Sequence, residues 1–188
     1  MRGSTAPAAR SSVAPSRPLS GGAGSPAAAL YTPEQRARRD RSRWTLVQGI
    51  LAPVQFLVFI ISVGLVLRTL ATGEGATAAH ASVVVKTLVL YLIMVTGAIW
   101  EHDVYGQYLF APAFYWEDVV SMGVIALHTA YLVALIWGSL STPALLVLAL
   151  AAYATYLVNA GQFLWKFRRA RLAAAADAAG RQPVEAHA

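Results

Sequence analysis

Cysteine is absent from all 188 residues. The chain therefore builds no disulfide, zinc–thiolate site, iron–sulfur cluster or thiol nucleophile of its own. Charge is scarce as well: Asp, Glu, Lys and Arg supply 13% of the residues against 57% hydrophobic, far from the balance of a soluble domain. No Gly-rich phosphate loop, HExxH zinc helix or nucleophile elbow occurs. Nucleotide hydrolysis and zinc-dependent or Ser-dependent hydrolysis thus lack their usual parts, and the class that remains is a membrane protein.

The formal charge of +6 is unevenly placed. Residues 1–43 carry eight Arg against Glu34 and Asp40, residues 166–188 carry five basic groups against two acids, and the stretch between nets −3. Basic rims around an apolar middle suit anionic headgroups and membrane topology rules, so lipid rather than nucleic acid is the expected partner.

Residues 1–29 are Ala, Pro, Ser, Gly and Arg with almost no large apolar side chain. They are expected to form a disordered tail, because they cannot bury enough surface to offset the entropy of ordering. Residues 30–43 then predict a basic amphipathic juxtamembrane helix, with Thr32 as cap, Pro33 at the first helical position and Gln35 closing a capping box. Four apolar runs follow, at about 44–70, 82–100, 117–137 and 143–165, each near the roughly 20 residues that cross roughly 30 Å of hydrocarbon. Trp44, Trp100, Trp116, Trp137 and Trp165 fall at their ends, where indoles prefer the interface. The expected fold is all-α: an integral membrane four-helix bundle over 44–172, with a flexible C-terminal tail over 173–188.

Arg36, Arg38, Arg39, Arg41 and Arg43 precede the first run, and Lys166, Arg168, Arg169 and Arg171 follow the last. Both termini are therefore expected on the cytoplasmic side of a bacterial inner membrane, with 71–81 and 138–142 periplasmic and 101–116 cytoplasmic.

The densest polar cluster is Glu101-His102-Asp103 followed by Glu117-Asp118, with no Lys or Arg between them. The linking segment is aromatic, with Tyr105, Tyr108, Phe110, Phe114, Tyr115 and Trp116. Acids at an apolar mouth can keep a proton at neutral pH, so Glu101, Glu117 and Asp118 are candidates for acid–base chemistry, with the six aromatics as candidate substrate contacts. Simple helix capping by Glu117 and Asp118 is the competing reading. His128 is expected to be the only histidine at membrane depth, on a face shared with Glu117, Ser121 and Val124, either as acid, base or metal ligand or as an interhelical hydrogen-bonder. A bis-histidine haem site would need a second. Lys86 is expected to snorkel to an interface. The stripes Gln48, Gln55, Ser62 and Thr155, Asn159, Gln162, Lys166 read as interhelical glue. Ala126, Ala130 and Ala134 read as a small-residue ladder for close packing.

The runs Leu-Tyr-Thr-Pro-Glu-Gln-Arg (30–36), Trp-Thr-Leu-Val-Gln-Gly-Ile-Leu-Ala-Pro-Val-Gln-Phe (44–56), Leu-Phe-Ala-Pro-Ala-Phe-Tyr-Trp-Glu-Asp (109–118) and Ala-Leu-His-Thr-Ala-Tyr (126–131) resemble the 3-vinyl bacteriochlorophyllide hydratase family. Val-Val-Lys-Thr (84–87), Thr-Gly-Ala-Ile-Trp-Glu (96–101) and Asn-Ala-Gly-Gln-Phe-Leu (159–164) fit as well, while residues 1–29 and His102-Asp103 depart from the pattern. The resemblance implies a hydro-lyase that adds water to the 3-vinyl group of chlorophyllide a or a bacteriochlorophyllide, giving a 1-hydroxyethyl group in bacteriochlorophyll a biosynthesis. It implies no cofactor and no metal of the protein's own, with magnesium arriving in the substrate and His128 as a candidate ligand to it. Other enzymes of that pathway are its implied partners. The alternative is a non-catalytic tetraspan that binds or hands on tetrapyrrole pigment.

Overall fold

The computed structural model describes residues 30–180; the expected N-terminal tail, and the chain beyond 180, lie outside them. Five helices follow in order: α1 Pro33–Arg41, α2 Arg43–Thr72, α3 Ala76–Tyr105, α4 Tyr115–Trp137 and α5 Thr142–Gly180. The last four are long and apolar enough to cross a membrane, and the described residues contain no strand. This is a multi-pass membrane protein. Large apolar side chains such as Leu46, Ile50, Ile60 and Leu164 stand exposed along the helices. In water that surface would be a liability, whereas in hydrocarbon it needs no partner, and the helical backbone satisfies its own polar groups.

The first helix boundaries have local causes. Thr32 and Gln35 form the expected capping box, with Thr32 N–H donating to Gln35 Oε1 at 2.9 Å and Gln35 N–H to Thr32 Oγ1 at 3.2 Å. Ser42 ends α1 and caps α2 in a single residue. Gly73 and Gly75 adopt φ of 75° and 81°, so the turn between α2 and α3 is complete by Ala76. The following Ala-rich segment is a strong helix former, and α3 starts six residues before the expected span. His80 therefore sits inside α3, half-buried, with Nδ1 2.7 Å from the Tyr131 hydroxyl, so His128 is not the only histidine within the helical spans. At the other end α5 continues helical to Gly180, past the expected boundary at 172.

The helices pack as two hairpins, α2 with α3 and α4 with α5. Far from α1 the hairpins close on each other. Phe59 meets the rings of Tyr153 and Tyr156 at 5.5 and 5.1 Å, and Ser62 Oγ lies 2.5 Å from the Tyr153 hydroxyl and 2.7 Å from Ser82 Oγ. Interhelical hydrogen bonds of this kind contribute on the order of 1 kcal/mol each in lipid. The inward stripe of α4 is Glu117, Ser121, Val124, His128, Tyr131 and Ala134, a helical repeat that bears out the shared face of the first four. The alanine ladder does not hold: Ala126 and Ala130 point away from that stripe and are exposed, and only Ala134 packs inward. Lys86 also departs from expectation. It belongs to the buried face Ala79, Val83, Lys86, Leu90 of α3, has no exposed surface, and sets its ammonium 3.8 Å over the Tyr156 ring instead of reaching an interface.

Candidate active site

Near α1 the two hairpins part around a cavity of about 1830 Å³. Pockets for drug-sized ligands occupy roughly 300–1,000 Å³, so this space suits a larger body. Missing side chains create it. Gly49 and Ala52 on α2, Gly97 and Ala98 on α3, and Ala160 and Gly161 on α5 line the walls where a filled bundle would place larger residues. Lining residues on α2 (Gly49, Pro53, Phe56) and on α5 (Leu157, Gly161, Leu164) are at once exposed, so the cavity opens between these two helices toward the lipid.

Glu101 from the end of α3 and Asp118 from the start of α4 reach the same cavity, both buried, with their carboxyl groups as electrostatic neighbours. The intervening loop holds them there. Gly106 ends α3 at φ 84°, and Phe110 takes φ 61°, a conformation that costs a bulky residue on the order of 1–3 kcal/mol. That turn aims the Phe110 N–H at Asp118 Oδ2, 2.7 Å away, and the next amide, Ala111, donates to Glu101 Oε2 at 3.3 Å. Two acids from two helices are thus clamped by successive backbone donors of one loop.

The other expected acids go elsewhere. Glu117 is buried but turned toward α5, where the Lys166 ammonium donates to it and to the Ala113 carbonyl. Lys166 is the neutralising cation that the linking loop lacks. Asp103 is exposed and accepts from Ser42 Oγ at 2.8 Å, tying α3 to the start of α2. His128 has no exposed surface and does not line the cavity. Its Nδ1 lies 2.8 Å from the Val124 carbonyl, so that nitrogen donates, and Nε2 has no hydrogen-bond partner.

The six aromatics also separate. Phe114 is fully buried at the centre of a cluster with Trp100, Tyr105, Phe163 and Phe167, ring centroids 5.7–5.9 Å apart. Tyr108, stacked on His102 at 4.3 Å, is exposed, as are Phe110, Tyr115 and Trp116; among residues 105–116 only Leu109 lines the cavity. The aromatic walls come instead from Tyr31, Phe56, Trp100, Tyr156, Phe163 and Phe167. Sequence reasoning missed these because they lie on four separated segments, the stretch before α1 and the helices α2, α3 and α5. The signal that could have found them is the clustering of Gly and Ala one or two turns away on α2, α3 and α5. Burial also pushes the Tyr31 phenol above its usual pKa, keeping it a neutral hydrogen-bonding group.

The amide stripes divide in the same manner. Gln48 Nε2 donates to Thr96 Oγ1 at 2.7 Å and Ser62 joins Tyr153, both as glue. Gln55, 2% exposed, lines the cavity with neither amide atom paired. Asn159 Nδ2 donates to Ser121 Oγ at 2.8 Å while its Oδ1 remains unpaired, and both residues line the cavity.

Residues 31–169 match the sequence pattern of the 2-vinyl bacteriochlorophyllide hydratase family. The chain belongs to that family. It is 72% identical over 143 residues to the 2-vinyl bacteriochlorophyllide hydratase of Cereibacter sphaeroides, covering 76% of this chain and 89% of that one. It is 65% identical over 157 residues to the protein of the same name from Rhodobacter capsulatus, covering 84% and 91%. No solved structure matches. The matched region of this family member spans α1, all four long helices and every residue of the acid pair and its clamp.

Proposed function

We propose that this chain is a hydro-lyase that hydrates the vinyl group of a chlorophyllide or bacteriochlorophyllide in bacteriochlorophyll biosynthesis, forming a 1-hydroxyethyl group. The observation that carries the site assignment is the Glu101–Asp118 carboxyl pair, buried and clamped at the wall of a large cavity open to lipid. Two buried, neighbouring carboxyl groups readily hold one proton between them, and Glu101 is its carrier in this reading. Asp118, accepting the shorter amide bond, is the carboxylate. Glu101 protonates the terminal vinyl carbon, and the cation left on the inner carbon is delocalised into the macrocycle and faces Asp118. Water then forms the C–O bond at the inner carbon and returns a proton to the pair, so atoms and charge balance. The tetrapyrrole brings its own magnesium, and the unpaired cavity amides of Gln55 and Asn159 are suited to face its polar edge. Glu117 serves through Lys166, by fixing the loop, and His128 supports the floor behind Tyr153.

The flat pigment reaches this site from the inner membrane, and both termini are cytoplasmic, consistent with the basic residues that flank α2 and follow α5. Membranes containing the protein, given chlorophyllide a in water labelled with heavy oxygen, should yield a product heavier by one labelled water. Retention of unmodified pigment by the protein, with no such product, would replace catalysis with pigment carriage.

A further inference from the structure

The same cavity continues past the acid pair to a basic rim. Arg36 and Arg39 of α1 and Arg171 of α5 line it, with Asp40 the one acid beside them, so three cations less one anion leave the rim two charges positive. The rim is a built part of the cavity wall. Tyr31 is buried against Tyr105, the Arg39 guanidinium lies 4.7 Å over the Tyr31 ring, and Arg39 Nε and Nη2 donate to Asp40 Oδ1 at 2.8 and 2.6 Å. A guanidinium has five N–H donors, so three remain. Arg36 and Arg171 make no ion pair or side-chain hydrogen bond among the described residues. α1 itself is pinned by Thr45, whose hydroxyl donates to the Arg39 carbonyl at 2.6 Å and accepts from Trp100 Nε1 at 2.9 Å.

We infer that Arg36, Arg39 and Arg171 form a carboxylate-binding rim that grips the free propionate of the pigment and so selects the unesterified macrocycle over its esters. This rests on the tetrapyrrole reading above. A chlorophyllide is an apolar disc with one free side-chain carboxylate, and that group is what an ester-linked tail masks. The Arg39 guanidinium, held by Asp40 and the Tyr31 ring, and the unpaired guanidinium groups of Arg36 and Arg171 beside it match that group in charge and in donor chemistry. A lipid headgroup would account for Arg36 and Arg171, which are exposed, but not for Arg39, which is half-buried and packed on a residue of the inner wall.

The test uses the full chain in membranes, with chlorophyllide a and its methyl ester as paired probes, and reads both pigment binding and kcat/KM. Wild type should prefer the acid. Arg36→Gln, Arg39→Gln and Arg171→Gln, singly and combined, should lower the acid-over-ester ratio, the combined variant by about 10–100-fold as expected for losing charge-assisted hydrogen bonds. Arg→Lys at the same positions should restore part of it. An acid preference in binding that depends on these arginines upholds the rim even if neither pigment is hydrated, whereas hydration of both with equal efficiency overturns it. Equal losses on acid and ester, which anchoring of α1 to lipid would produce, also overturn it.

Discussion

Replacing Glu101 with glutamine, or Asp118 with asparagine, keeps the shape of each side chain and an oxygen for the loop amide, but removes the group that carries or receives the proton. The structural effect is bounded by the bonds lost. Asp118 accepts one N–H at 2.7 Å, and making that acceptor neutral costs about 1 kcal/mol; Glu101 accepts one at 3.3 Å and is already neutral when it carries the proton, so its amide costs less. The chemical effect is larger: loss of a positioned acid or base lowers rate by about 10²–10⁴, or about 3–5 kcal/mol of barrier. Turnover per folded molecule should therefore fall by at least about a hundredfold while membrane level stays near wild type. The assay is single-turnover hydration of chlorophyllide a in membranes, with the folded amount measured in parallel by detergent-solubilised thermal melting. Asp118→Ala should also lower the melting temperature, because the strained Phe110 amide loses its only acceptor. If both isosteric variants stay within about threefold of wild-type turnover, well short of the acid–base range, the pair is a loop clamp and nothing more.

Lys166→Met should destabilise by about 3–5 kcal/mol, since it leaves Glu117 buried without its cation, and Lys166→Met combined with Glu117→Gln should recover most of that in thermal melts. A Cβ at Gly161 meets nothing within 4 Å, so Gly161→Phe should fold normally yet raise KM by filling the cavity; an unchanged KM would remove this wall from the binding site. Deleting residues 1–29 should leave turnover intact in membranes, and loss of activity at normal protein level would contradict that. Reporter fusions after 172 and within 101–116 should read cytoplasmic and those at 73–79 periplasmic, and a periplasmic C-terminus would sink the proposed orientation.

The helices were legible because their cause is local. Apolar runs of membrane length, five tryptophans at their ends and a Thr32–Gln35 capping box each act within a few residues of chain, and the helices form where these signals put them. Errors of one or two turns arose where tertiary or turn chemistry overrode composition: the Gly73–Gly75 turn tightens the first connection enough to bring His80 into α3.

The site was legible only in part, since its logic is one of subtraction and of distance along the chain. Acidity at the α3–α4 hairpin was visible, but which acids lie together depends on a cation 49 positions away, Lys166, that claims Glu117 and leaves Asp118 beside Glu101. An aromatic-rich loop likewise suggested a binding surface, yet Phe114 faces inward as a packing centre and its neighbours face out, because a loop one residue in the left-handed region at Phe110 cannot turn all its rings the same way. The cavity is defined by residues that contribute almost nothing, Gly49, Gly97 and Gly161 among them, on three helices whose relative rotation no single segment encodes. Glycine in a membrane helix is commonly read as a site of close approach between backbones. Here a Cβ at Gly49 or Gly161 would meet no atom within 4 Å, so no neighbouring backbone approaches these glycines, and they face the open mouth of the cavity instead. The proposed site for a large flat substrate thus rests on small residues facing an interval of the bundle as well as on the carboxyl groups of one wall and the arginines at its rim.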